Sequence, residues 1–145
     1  MITLIKKFKR LPVDEKKLLF TATFMVIKVR MLTAFLPLRF YSSNLGVRHK
    51  TLSDTMDSSK LTILYKVTRT LKRTSTYIPF KNKCLVEAIV AKKMLKALGY
   101  ESTLYLGVGR DEDKKIIAHA WLKCCGTIVT GKEGMDRFAV VEWFS

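Results

Sequence analysis

The chain has 145 residues, 48% of them hydrophobic and 27% charged, enough for one domain with a real core and too few for two ordinary ones. Its net charge of +15 is uneven: residues 1–83 hold 18 Lys/Arg against 4 Asp/Glu, whereas residues 84–145 hold 9 against 8. Three cysteines, two of them adjacent at Cys124-Cys125, exclude a secreted disulfide framework, and the absence of CxxC beside only two histidines excludes a metal-ligand set, so a reducing cytoplasm and no cofactor are expected.

Met1 to Arg10 is a basic lead-in. Leu11-Pro12-Val13-Asp14-Glu15 then reads as a helix start, with Pro early and acids in the first turn. That helix is expected to reach about Phe35, with Pro37 stopping it. Lys28 and Arg30 interrupt its apolar run, and a spanning helix needs about twenty mostly apolar residues, so neither a membrane span nor a signal peptide is expected. The helix is too apolar to stand alone in water. Packing on the domain or on a partner is the first expectation, and peripheral contact with a membrane surface the second.

Residues 41–59 are polar, without a sustained period, and read as a linker or surface loop that leaves His49 a solvated residue. A basic helix follows over Leu61 to Lys72, with Leu61, Leu64, Tyr65, Thr68 and Leu71 on one face and Arg69, Lys72 and Arg73 adding charge. Ile78-Pro79-Phe80 ends that segment.

From Cys84 the pattern is helical, with Cys84, Ala88, Ala91, Leu95 and Leu98 in one stripe and Gly99 as the stop. Four strands are expected next: Ser102 to Val108, Ile116 to Lys123, Thr127 to Thr130 and Phe138 to Phe144, forming an antiparallel meander. One helix followed by such a sheet is an α+β arrangement.

Cys84 at a helix start and His119 on a strand are the minimum hardware of a cysteine hydrolase, because a helix N-terminus favours thiolate and an imidazole can shuttle the proton. On the second strand Ile117, His119 and Trp121 share one face and Ala118, Ala120 and Leu122 the other. Close approach of Cys84 and His119 is expected if the helix packs across the His119 face. Taken singly, each residue also has a packing explanation. A lone Cys among alanines behaves as a small hydrophobe, a strand His is often a satisfied core residue, and Trp121 can be core. Cys124 and Cys125 read as ordinary thiols beside a turn.

Taken together, Cys84-Leu85-Val86-Glu87-Ala88, Leu98-Gly99, Leu104-Tyr105-Leu106-Gly107-Val108, Ala118-His119-Ala120-Trp121-Leu122 and Gly126-Thr127-Ile128-Val129-Thr130-Gly131 give the chain from about Ile78 a specific likeness. It resembles the transglutaminase-like cysteine peptidases that remove leader peptides in lasso-peptide biosynthesis, the family of the microcin-processing B-type proteins. Leu11-Pro12 and the basic, apolar helix ending at Leu36-Pro37-Leu38-Arg39 resemble the start of the stand-alone version.

The resemblance implies a papain/transglutaminase-like core over 78–145, its Cys-bearing helix packed on an antiparallel sheet, preceded by a basic helical region over 1–77 for docking or partner binding. It implies Cys84 as nucleophile and His119 as general base and then acid. The leader-core precursor would be the substrate, with Thr next to the leader's last residue, and a separate leader-binding protein and the ATP-dependent lasso cyclase would be partners. The family's acidic third residue, often twelve positions after the His, is here Gly131, which leaves Glu133 or Asp136, a backbone carbonyl or a water to orient the ring. Trp121, Arg69, Lys72 and Arg73 are the candidate contacts for substrate or partner. The alternative is a non-catalytic adaptor of the same fold that uses its basic half to bind a protein, lipid or nucleic acid. A nucleic-acid partner is not expected, because the basic residues are not interleaved with aromatics in a recognition motif.

Overall fold

Pro12 presets the backbone for a helix, Asp14 and Glu15 occupy its first turn, and Leu36, the residue before Pro37, is extended; these features bound helix α1 at Val13–Phe35. The computed structural model of the protein describes residues 11–52, 55, 58–77 and 83–145. The lead-in Met1 to Arg10 and the Ile78-Pro79-Phe80 segment lie outside the described residues. After α1 come a one-turn helix α2 (Leu38–Tyr41), α3 (Leu61–Tyr77), α4 (Lys83–Ala97), and strands β1 (Thr103–Arg110), β2 (Ile116–Cys124), β3 (Thr127–Thr130) and β4 (Ala139–Phe144).

The segment expected as a linker is partly built into the sheet. Tyr41 and Leu45 are buried, and Val47 exchanges backbone hydrogen bonds with Ser145 while His49 N–H donates to the Trp143 carbonyl. Strand β4 is a sheet edge with backbone groups to satisfy, and this segment covers them. His49 is accordingly more than a solvated residue, pairing with Glu142 at 2.6 Å and lying 4.4 Å from the Trp143 ring.

Helix α3 runs past Lys72 to Tyr77, and its buried face is rotated from the expected one. Leu64, Val67, Leu71 and Thr74 are buried, whereas Leu61 is exposed and Tyr65 is 65% exposed. Thr70 and Thr74 enter the interior because each hydroxyl donates back to a carbonyl four residues earlier, Thr70 to Lys66 and Thr74 to Thr70, and the half-buried Thr68 hydroxyl stands the same way toward the Leu64 carbonyl.

Helix α4 is buried on most sides, with Val86, Ala88, Ile89, Val90, Ala91 and Leu95 at 1% exposure or less. Of its expected stripe, Ala88, Ala91 and Leu95 are buried, Cys84 is partly exposed and Leu98 is 50% exposed beyond the helix end. Gly99 terminates it at φ +84°. Residues from both sides of position 78, among them Ala22, Val26, Leu64 and Leu71 with Ala88, Leu104 and Phe144, share one hydrophobic cluster.

The sheet is antiparallel with strand order β3-β2-β1-β4, so the arrangement is α+β as expected, but it is not a simple meander. Strand β4 passes β3 and pairs with β1, Leu104 opposite Phe144 and Tyr105 opposite Trp143. The chain between β3 and β4 turns at Gly131 and Gly134, both at positive φ, and through a 3-10 turn at Met135–Arg137, which carries it to the open edge of β1.

Candidate active site

Cys84 stands in the first turn of α4 and His119 in the middle of β2. Both line one cleft of about 530 Å³, with Thr68, Lys72, Glu87 and Glu133. The route by which they come to line one cleft differs from the expected one. Helix α4 packs on the sheet face that carries Leu104, Ala120 and Leu122, because these small and apolar side chains let the helix approach. By strand alternation His119 and Trp121 belong to the other face, where Trp121 stacks on Tyr105 at 5.7 Å and His119 lies 5.0 Å from the Phe138 ring.

His119 reaches the cleft because β3 is short. Its pairing with β2 ends at Thr130 opposite Leu122, so beside His119 strand β2 is itself the edge. The chain turns away at Gly131, φ +73°, and the Gly131 carbonyl oxygen comes 2.8 Å from His119 Nε2. A carbonyl only accepts, so Nε2 carries the donated hydrogen. The neutral ring therefore keeps its lone pair on Nδ1.

Position 131 cannot hold the acid that the resemblance called for. A Cβ there would collide with the Ala120 carbonyl oxygen and come within 2.8 Å of Trp121 Cβ, at a φ that side chains rarely adopt. The ring's hydrogen-bond partner is thus a backbone group of the residue that stands in the acid's place. Glu133 lines the cleft but is exposed, and Asp136 is exposed in the 3-10 turn, outside the cleft lining. The sequence signal for the carbonyl was the glycine itself; a backbone acceptor has no side-chain signature.

Trp121 is only 6% exposed, packed under His119 rather than open to a peptide, and Gly107 makes room for it: a Cβ there would lie 2.8 Å from the indole. Of the basic candidates, Lys72 lines the cleft with Cys84. A shallower hollow of about 320 Å³, lined by Arg69, Lys72 and Arg73 with Tyr65 and Thr68, adjoins it through Thr68 and Lys72. Arg73 also bonds Glu15 of α1 at 3.0 Å. Lys72, Lys132, Glu87 and Glu133 give the cleft lining charges of both signs, and Glu87 accepts a hydrogen bond from the Ser75 hydroxyl.

The other thiols stand apart from this cleft. Burial, then the neighbouring Cys125 sulfur, pushes the Cys124 thiol up to about 12; it donates to the Glu101 carbonyl at 3.2 Å and stays protonated and unreactive near neutrality.

A family model described as the transglutaminase-like superfamily matches residues 25–142. No curated protein and no solved structure matches the chain.

Proposed function

The chain belongs to the transglutaminase-like superfamily, and from that premise we propose that it is a cysteine endopeptidase with Cys84 as nucleophile and His119 as general base. The observation that carries this reading is the shared cleft of Cys84 and His119, in which the Gly131 carbonyl fixes Nε2 and leaves Nδ1 basic. In the acylation step His119 Nδ1 takes the Cys84 proton, and the sulfur adds to the scissile carbonyl carbon. The tetrahedral intermediate collapses as Nδ1 returns the proton to the leaving amine. Backbone N–H groups in the first turn of α4, the turn that carries Cys84, are the proposed source of an oxyanion site. Water, activated by the same nitrogen, then releases the acyl fragment as a carboxylate.

The finer assignment rests on the sequence likeness: the substrate is the leader-core precursor of a lasso peptide, presented in the cytoplasm by a separate leader-binding protein, and the product's free α-amine passes to an ATP-dependent cyclase. Lys72, with Arg69 and Arg73 in the adjoining hollow, is the proposed contact for an acidic stretch of leader or partner. Against the adaptor alternative, the Gly131 carbonyl holds His119 Nε2 although the family's acid is missing. Mass spectrometry of the precursor after incubation with the protein and the leader-binding partner tests the reading. Cleavage at one bond by the wild type and none by Cys84→Ala is expected; an uncut precursor, with partner and peptide bound, would favour the adaptor.

A further inference from the structure

Helix α1 is apolar on two opposite sides, and only one of them is used by the fold. Leu19, Ala22, Val26 and Val29 are buried against the domain. On the other side Phe20, Phe24, Ile27, Met31 and Phe35 recur at helical spacing and are exposed, Phe20 at 76% and Phe35 at 78%. Leu36 and Phe40 extend the exposed apolar surface past Pro37. At 1.5 Å per residue the stripe from Phe20 to Phe35 is about 22 Å long. Single exposed apolar residues are ordinary, but a continuous run of this kind marks an interaction surface.

The charges around the stripe are of one sign. Lys17 and Lys28 are exposed at positions three or four residues from Phe20 and Phe24, on the same side of the helix, and the Arg39 guanidinium sits 4.9 Å from the Phe40 ring. From Lys16 to Ser53 the sequence holds seven Lys/Arg and no Asp or Glu. A hollow of about 380 Å³ opens beside the stripe, walled by Phe24, Met31 and Phe35 and also lined by Lys28 and Lys93.

We infer that this face of α1 seats the protein on an anionic lipid bilayer, with the helix lying in the plane of the interface. Length and composition would also allow α1 to cross a membrane, but its inner face is part of the shared core with α3 and α4, and a crossing helix would have to leave it. Lying flat keeps the core intact. The Phe side chains then enter the acyl boundary while Lys17, Lys28 and Arg39 meet headgroup phosphates. A bilayer offers apolar depth and negative charge along the whole stripe, whereas a protein partner would need an apolar groove with an acidic rim of the same length.

Sedimentation of the full chain with vesicles tests the inference, using phosphatidylcholine alone and phosphatidylcholine with phosphatidylglycerol. Binding to the anionic vesicles only, weakened by salt, is expected. A Phe20→Ser, Phe24→Ser variant should bind more weakly by on the order of tenfold per Phe removed, and Lys17→Gln, Lys28→Gln by about fivefold per Lys. These residues are exposed and outside the cleft, so circular dichroism and the alkylation rate of Cys84 should match wild type in both variants. No binding to anionic vesicles, equal binding to neutral ones, or binding unchanged by the Phe substitutions would each overturn the inference. Self-association through this face without lipid binding would instead assign the face to a second copy of the chain.

Discussion

A side chain at position 131 would strike the Ala120 carbonyl and the Trp121 side chain, so Gly131→Ala must move the loop whose carbonyl holds His119. The expected result is a loss of activity of tenfold or more, with φ strain costing about 1 kcal/mol of stability, read from the Cys84 alkylation rate and a thermal melt. Glu133→Gln and Asp136→Asn should each change activity less than about tenfold, against the ~10⁴-fold cost where a carboxylate holds the ring; a loss on the larger scale would return the orienting role to that acid. Cys84 and His119 were legible because their chemistry lies in their side chains. Which group partners His119 was not, because a backbone carbonyl, one of the alternatives, looks the same in every residue and only the glycine hinted at the close approach. Lys92 was illegible for a related reason: a lysine reads as surface, yet this one is buried and its Nζ donates to the Ser102 carbonyl. Burial, then repulsion from Lys96, lowers its pKa from 10.5 to about 8, with Glu101 and Cys124 opposing. Between those values the unfolded chain binds more protons than the folded one, so stability rises with pH; below about 8 both are protonated and the full cost of burial is carried. Lys92→Met should remove that slope from melts recorded between pH 8 and 10.5, and a slope that survives would place its origin elsewhere.

Among the elements, strands and their ends were legible from alternation and from the turn residues around them, since a pleated strand shows its pattern locally. Helix faces were less so. The stripe drawn on α3 ran through Tyr65 and Thr68, whereas the buried face takes in Thr70 and Thr74, which satisfy their hydroxyls inside the helix and turn inward. Helix α4 shows little amphipathy because α1, α3 and the sheet cover it from several sides. The order of the sheet was illegible too, because whether β4 joins β3 or β1 depends on which edge is open, and no residue pattern in β4 records that. Thr68 joins two elements: its hydroxyl lies 3.0 Å from the Leu64 carbonyl and 3.0 Å from that of Val129 in β3. Thr68→Val should therefore lower the unfolding free energy by about 1 kcal/mol in urea denaturation, and an unchanged midpoint would mean that water replaces the hydroxyl at Val129.

For the whole molecule, the sequence divides sharply by charge, and the fold does not follow that division. The basic helices α1 and α3 supply Ala22, Val26, Val67 and Leu71 to the same cluster as the nearly neutral second half. A fragment beginning at residue 78 would expose that side of α4. It should show no cooperative thermal transition, whereas a sharp melt near that of the full chain would make the first half an appendage. Charge and packing thus serve different ends in the same helices: inward faces complete the core that holds Cys84 in place, and outward faces carry the basic surface proposed for partners and lipid.

The most direct measurement is the rate at which iodoacetamide alkylates each cysteine, resolved by peptide mass spectrometry, in wild type and His119→Ala. A nucleophile served by a fixed imidazole should be modified at Cys84 faster than a simple free thiol and faster than Cys124, and should lose that advantage in the variant. Alkylation of Cys84 at the rate of a simple thiol, unchanged by His119→Ala, would contradict a Cys84–His119 catalytic pair.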